Sequence, residues 1–347
     1  MLTSKPPAVA TVTVQARACL AGENLDWMGL PTVAVALDRL SLSGTARAEV
    51  GRDLRFVSRS ADGGLLGDFS PASAPDSSGD FERACSGALD VLRASGALVP
   101  DRLAIELQSN IPIGVGLASS GALHLGLAGL LSAASENSDP RPETLAERAY
   151  LAEHDRQGVM CGRMDQYASA LGGLQRQSHP QDGPPEIEQL EVDGSDRYVI
   201  GWTLLGTSFA FEVGPWLRDC FARGEPGVRA YGQSTRRLVD QLAAILREPA
   251  SSARRFAAGE ILDAAQHVTG ALLGEQDGRI TAALVAARRA GAAGAKGLGV
   301  RARGGAMLAL TDAERAPVVA AAVSASGLQV AECVARREGI RVTRGTT

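Results

Sequence analysis

The stretch from Pro112 to Leu131, PIGVGLASSGALHLGLAGLL, sets Gly114 and Gly116 ahead of Ser119 and Ser120, then continues as an apolar run without charge. Glycine adopts positive φ readily and lets a backbone approach a ligand, and the two serines fall where N-cap and first-turn residues of a helix belong. A helix start of that kind turns unpaired N–H groups and its positive dipole end toward an anion. A serine hydroxyl at its mouth reaches a metal ion carried by a phosphate. No GK[ST] follows the glycines, so Walker A chemistry is excluded. The same residues also fit a plain glycine turn capped by serine, and from this stretch alone both readings stand.

A third reading is a membrane span, because no Asp, Glu, Lys or Arg occurs between Glu106 and Glu136. Asn110, Pro112, Ser119, Ser120 and His124 interrupt that interval, and the periodic apolar part begins only near Gly121. Polar groups are expensive inside a bilayer, so the expectation is a buried helix and no membrane partner. His124 and His267 read as ordinary helix residues, Trp27 and Trp202 as packing.

The elements that would hold these residues read as follows. Residues 9–16, 32–37, 40–50 and 102–108 alternate or run in β-branched types, with a helix over 81–95 among them. Helical spacing starts at Ser119 and breaks at 135–142, and a second helix follows over 142–154. A short helical piece ends near Gly172, and the proline-containing segment 175–185 reads as an exposed connection or domain boundary. Beyond it, 186–192 and 197–205 read as strands, 228–247 and 280–290 as helices, and 305–311 as a strand followed by a helix over 312–326. The pattern predicts an α+β fold in two lobes.

With 347 residues, 45% of them hydrophobic and 21% charged, the chain suits one large domain or two sharing a core. A formal charge of −4 favours neither nucleic acid nor an anionic surface as partner, and points to a small polar ligand or a protein. Five cysteines without a CxxC pair support neither a zinc site nor a disulfide framework, and fit a reducing, cytoplasmic setting. The first 19 residues lack the apolar core of a signal peptide.

Two further stretches, ARACLAGENLDW at 16–27 and AEHDRQGVMCGRMDQYASALGG at 152–173, flank the Gly-Ser loop. Together the three resemble the motifs of the GHMP kinases, and among them most of all galactokinase. The first motif is carried by Arg17, Leu20, Gly22, Glu23 and Asp26, and the second by Pro112, Gly114, Gly116, Leu117, Ser119 and Ser120. The third stretch matches as A-E-H followed by C-G-x-M-D-Q, with Glu153 and Asp165 at the family's separation. A glycine-rich loop and apolar strand, GAKGLGVRARGGAMLAL at 294–310, resembles the last family motif. There Val300, Arg301 and Arg303 replace usual glycines.

The resemblance implies a GHMP kinase fold: a ribosomal protein S5 domain 2-like lobe over 1–180, an α/β sandwich lobe over 181–347, and an active site between them. It implies ATP and Mg²⁺ as cofactors, and a monomer or homodimer. Asp165 would be the base or orienting carboxylate for the acceptor hydroxyl, and Arg17 would keep it ionised and steady transition-state charge. The alternative for Asp165 is a helix N-cap. Pro112, Gly114, Gly116, Leu117, Ser119, Ser120 and Gly121 would form the nucleotide loop, and Ser120 with Glu153 would hold the metal ion.

Glu23, Asn24 and Asp26 would line a sugar site, their alternative being a polar turn between two strands. Tyr231, ahead of Arg236 and Arg237, resembles a galactokinase tyrosine that precedes paired arginines. The GENLDWMGLP sequence departs from the galactokinase pattern at Asn24, Leu25, Trp27, Leu30 and Pro31. Arg163 stands two residues before Asp165, where the family is apolar, either as a surface charge or as a contact for a second anion. The expected activity is phosphorylation of the anomeric (C1) hydroxyl of a galactose-like or higher-carbon sugar, including a heptose or octose phosphate. A true galactokinase, a kinase of a non-sugar alcohol, and an inactive sugar and ATP sensor are the competing readings.

Overall fold

The computed structural model describes residues 8–23, 25–49, 53–72, 79–135, 140–203, 210–274, 277–299 and 305–345. Asn24 and the substituted glycine positions Val300, Arg301 and Arg303 lie outside these residues. Strands β1 (Ala8–Ala21) and β2 (Thr32–Ala48) form a long antiparallel hairpin whose connecting loop holds a 3₁₀ turn at Asp26–Met28. The β2 strand joins into one element the two runs read separately at 32–37 and 40–50. Its pairing with β1 shifts register between Gln15 and Ala16, the bulge that bends such a hairpin.

The chain continues through β3 (Arg55–Ser60), β4 (Leu65–Phe69), α1 (Asp80–Ala94) and β5 (Leu103–Ser109), with β5 parallel to β3. Then come α2 (Ser119–Ser135), α3 (Pro142–Leu151), a π-helical turn at Ala152–Arg156, and α4 (Met164–Leu171). Strands β6 (Leu174–Ser178) and β7 (Glu186–Leu190) follow. The second half holds β8 (Asp196–Trp202), α5 (Ala210–Ala222), α6 (Pro226–Leu246), α7 (Ser252–Leu273) and α8 (Gly278–Arg289). It ends with β9 (Gly294–Leu298), β10 (Ala306–Asp312), α9 (Ala316–Ser324), β11 (Gln329–Cys333) and β12 (Arg341–Arg344).

An eight-stranded sheet runs β12-β1-β2-β5-β3-β4, with β6 bridging β2 and β7, and a four-stranded antiparallel sheet runs β11-β8-β10-β9. Alternation along the small sheet feeds two cores, as a period of two requires. Val199, Met307 and Ala309 pack with Ile280, Leu284, Val319 and Val323 of α8 and α9. Tyr198, Ile200, Leu308 and Leu310 face the other way, into the main core with Val239 and Leu242 of α6 and Leu262 of α7. The result is α+β, as the periodicity predicts.

The charge-free helix is α2. Its residues from His124 to Ala133 are buried, and Leu125, Leu127, Leu130 and Leu131 share a core with Val12, Val14 and Leu42 of the large sheet. Among the described residues no helix is long and apolar enough to cross a membrane.

One expectation needs correction. The segment 175–185 begins inside β6, where Gln175 and Gln177 are buried rather than exposed. Glutamine reads as surface in composition, but here the Gln175 amide donates to the Gly172 carbonyl at 2.6 Å and the Gln177 amide to Gln175 Oε1 at 3.0 Å. Residue 180 lies between β6 and β7, which pair, and β12 returns to the first sheet beside β1. Sheet membership therefore changes after β7, and the last strand belongs with the first lobe's sheet.

Candidate active site

Strand alternation sends Ala16, Ala18 and Leu20 into the main core and leaves Arg17 and Cys19 facing α4. Arg17, 8% exposed, donates from Nε to Asp165 Oδ1 at 2.7 Å and from another guanidinium nitrogen to the Gly116 carbonyl at 2.7 Å. Asp165 sits in the first turn of α4, and the capping role falls to Asp26 instead. Its Oδ2 accepts from the Met164 N–H at 3.1 Å, while Arg163 at the N-cap makes no capping bond. Burial raises the Asp165 pKa and the charge on Asp26 adds to the rise, with Arg17 pulling against both. Burial likewise raises Asp26, opposed by the N–H of Met164. Two carboxylates thus meet the start of α4, Asp165 bonded to Arg17 and Asp26 drawn to the same charge through space, suited to holding or receiving a proton.

The Gly-Ser loop has positive φ at Gly114 (73°) and Gly116 (91°), and at Ala118 (59°), the one non-glycine residue in that region among the described residues. Strained backbone of this kind collects at ligand sites. A Cβ on Gly116 would lie 2.6 Å from the Gly299 nitrogen and 2.7 Å from its Cα. Glycine at 116 therefore lets the loop touch the end of β9 backbone to backbone. Leu117 anchors the loop in the core at 1% exposure, and Gly121 brings α2 against Asp165, a Cβ there standing 3.1 Å from that of Asp165. Pro112 precedes the turn, and Ser119 opens α2, whose first N–H groups have no partner within the helix.

Glu153 lies on the π-helical turn, a geometry frequent at functional sites. Its Oε1 accepts from the Ser120 hydroxyl at 2.5 Å and its Oε2 from the Gln166 amide at 2.7 Å. His124 is fully buried beside them, with Nδ1 2.9 Å from the Ser120 carbonyl and 3.7 Å from Glu153 Oε2. A hydroxyl and a carboxylate meeting at a helix start form a hard oxygen pair, which fits Mg²⁺.

Just past β1, Glu23 is 8% exposed and paired with Lys296 of β9, whose Nζ also donates to the Cys19 carbonyl at 3.0 Å. Burial pulls the Lys296 ammonium down to about 8. The Tyr231 hydroxyl, on α6, donates to the Glu23 carbonyl at 3.1 Å, and burial raises its pKa to about 12.

Residues 83–173 match the family described as GHMP kinases N terminal domain, an interval that holds the Gly-Ser loop, Glu153 and Asp165. Over 94% or more of its length the chain also superposes on solved members of that fold. It aligns with Lactococcus lactis galactokinase complexed with galactose at TM-score 0.77 and 17% identity, covering 96% of this chain and 95% of that one. The chain has the fold of the GHMP kinases. A Methanococcus jannaschii mevalonate kinase superposes at TM-score 0.74 with 14% identity, covering 94% and 98% of the two chains. A D-glycero-D-manno-heptose 1-phosphate kinase from Bacteriodes thetaiotaomicron gives TM-score 0.67 at 16% identity, covering 97% and 100%. In sequence the chain is 26% identical over 194 residues to a galactokinase of Streptococcus suis, 56% of this chain; it spans about half, 49%, of that relative.

Within this GHMP fold, Arg17, Asp165, Asp26 and Gly116 converge, Ser120 meets Glu153, and Tyr231 reaches the Glu23 backbone. Arg163 does not join them. Its guanidinium grips Glu147 of α3 at 2.8 and 2.9 Å and lies 3.9 Å from the Tyr150 ring centre. Proximity in sequence to Asp165 is undone by the helix start, where neighbouring side chains leave in different directions. Reading from sequence misses three residues: Lys296, Gln166 and the position of His124. The available signal for Lys296 is that it is the one charge in the glycine and alanine run from 290 to 300.

Proposed function

We propose that this chain transfers the γ-phosphate of ATP to the anomeric hydroxyl of a galactose-like or higher-carbon sugar. The observation that carries the reading is Arg17, which joins the Asp165 carboxylate to the Gly116 carbonyl of the phosphate loop. One side chain thereby ties the proposed proton acceptor to the proposed triphosphate cradle, the two parts that in-line phosphoryl transfer must hold in register.

In this reading Asp165 receives or orients the acceptor hydroxyl's proton, and Arg17 holds that carboxylate in its charged form. Pro112, Gly114, Gly116, Leu117, Ser119 and Gly121 shape the loop that takes the phosphates, with Ser120 and Glu153 as the residues to hold Mg²⁺. ATP supplies the phosphoryl group and the magnesium ion offsets its charge. Asp26 faces the sugar beside Asp165, while Glu23 supports that loop through Lys296. Because Arg163 is engaged by Glu147, the added phosphate of a heptose or octose phosphate loses the cation that motivated it, and an uncharged sugar is favoured.

The test is ADP release against galactose, other hexoses, heptoses, heptose and octose phosphates, mevalonate and homoserine. Turnover of a free sugar with phosphate appearing on C1 supports the reading. Turnover confined to mevalonate or homoserine, or none with any acceptor, refutes it.

A further inference from the structure

Lys296 is 1% exposed, and from the small sheet it reaches the end of β1 in the large one. It donates to the carbonyl of Cys19, two residues from Arg17, and to the carboxylate of Glu23, three residues before Asp26. Just past the end of the same strand, Gly299 lies against Gly116 of the phosphate loop. A single strand of the second sheet therefore touches both halves of the site, through an ion pair at one point and a glycine contact three residues on.

We infer that Lys296 is a positioning residue that fastens the acceptor loop to β9, setting Asp26 and Asp165 in register with the phosphate loop. The inference rests on the kinase reading above for its kinetic arm only. A buried ion pair adds little to stability over well-packed apolar side chains, because desolvation offsets the Coulomb attraction. What it does impose is direction: the ammonium has to meet a carbonyl and a carboxylate at once, which fixes the path of the chain from Cys19 to Glu23. The hydroxyl of Tyr231, bonded to the Glu23 carbonyl, holds the loop from its other side.

Three variants test this: Lys296→Met, Glu23→Gln, and the two combined. Each is followed by hydrogen exchange and by steady-state kinetics with the sugar that the wild type turns over. With Lys296→Met, amides of residues 22–30 should exchange about 10-fold faster while those of α2 keep their rates. The acceptor KM should rise about 10-fold with the ATP KM within about 2-fold. The combined variant removes both charges, so it folds even if the single variant does not, and it should keep the faster loop exchange. Unchanged loop exchange in both Lys296 variants overturns the inference, as does faster exchange spread evenly over the chain. Should the wild type turn over no sugar, the kinase reading fails and the exchange arm still decides the role of Lys296.

Discussion

Arg17 holds Asp165 at 2.7 Å with one nitrogen and the backbone of Gly116 at 2.7 Å with another, although the two partners stand 148 and 99 residues from it in the chain. That single guanidinium makes the relation between the start of α4 and the start of α2 a fixed one. Gly121 tightens it further, since a methyl group there would already crowd Asp165.

Replacing Arg17 with Met should lower kcat about 10²- to 10³-fold, the loss typical when one preorganised donor is removed. The pH profile should move as well. In the proposed reading the reaction uses ionised Asp165, so the rate should climb as pH rises through its pKa, and Arg17 is the group that pulls that pKa down against burial and Asp26. Without Arg17 the acid limb should shift to higher pH, measured as kcat/KM against pH. A limb that stays in place contradicts the pairing.

Glu153→Gln should raise the Mg²⁺ concentration needed for half-maximal ADP release by about 10-fold or more, because a neutral amide is a poor partner for a hard dication. Magnesium titration at saturating nucleotide checks it, and Mg²⁺-dependent nucleotide binding gives a reading independent of turnover.

Gly116→Ala should destabilise the fold by about 1–3 kcal/mol in denaturant unfolding, from a strained backbone and a forced overlap. The φ of 91° disfavours a side chain, and the added Cβ would sit 2.6 Å from the Gly299 nitrogen. The ATP KM should rise with it, since both loops of the cradle must move.

Arg163→Ala should leave the acceptor KM within about 2-fold while stability falls by about 1 kcal/mol, because the side chain serves Glu147 and Tyr150. A large rise in KM confined to phosphorylated sugars would instead return Arg163 to the acceptor site.

How far the sequence could be read varies with the kind of contact. Arg17, Ser120, Glu153 and Asp165 could be singled out because each belongs to a short motif, and the structure brings Arg17 to Asp165 and Ser120 to Glu153, while their roles belong to the proposed reading. The helices from Ser119 and Pro142 were legible from apolar spacing. Lys296 was not, because its partner Glu23 lies 273 residues away and no local pattern records such a pair. Gln175 and Gln177 misled for a different reason: their burial is made tolerable by carbonyls and amides brought up by α4 and by each other, and composition carries no trace of these. The return of β12 to the first sheet is equally a matter of tertiary pairing.

The most direct measurement is sugar-dependent ADP release by Asp165→Asn, alongside nucleotide binding by the same protein. The account predicts a fall in kcat of about 10²-fold or more with nucleotide affinity kept, since the carboxylate serves the acceptor oxygen and not the phosphate loop. A variant that turns over sugar near the wild-type rate would contradict it.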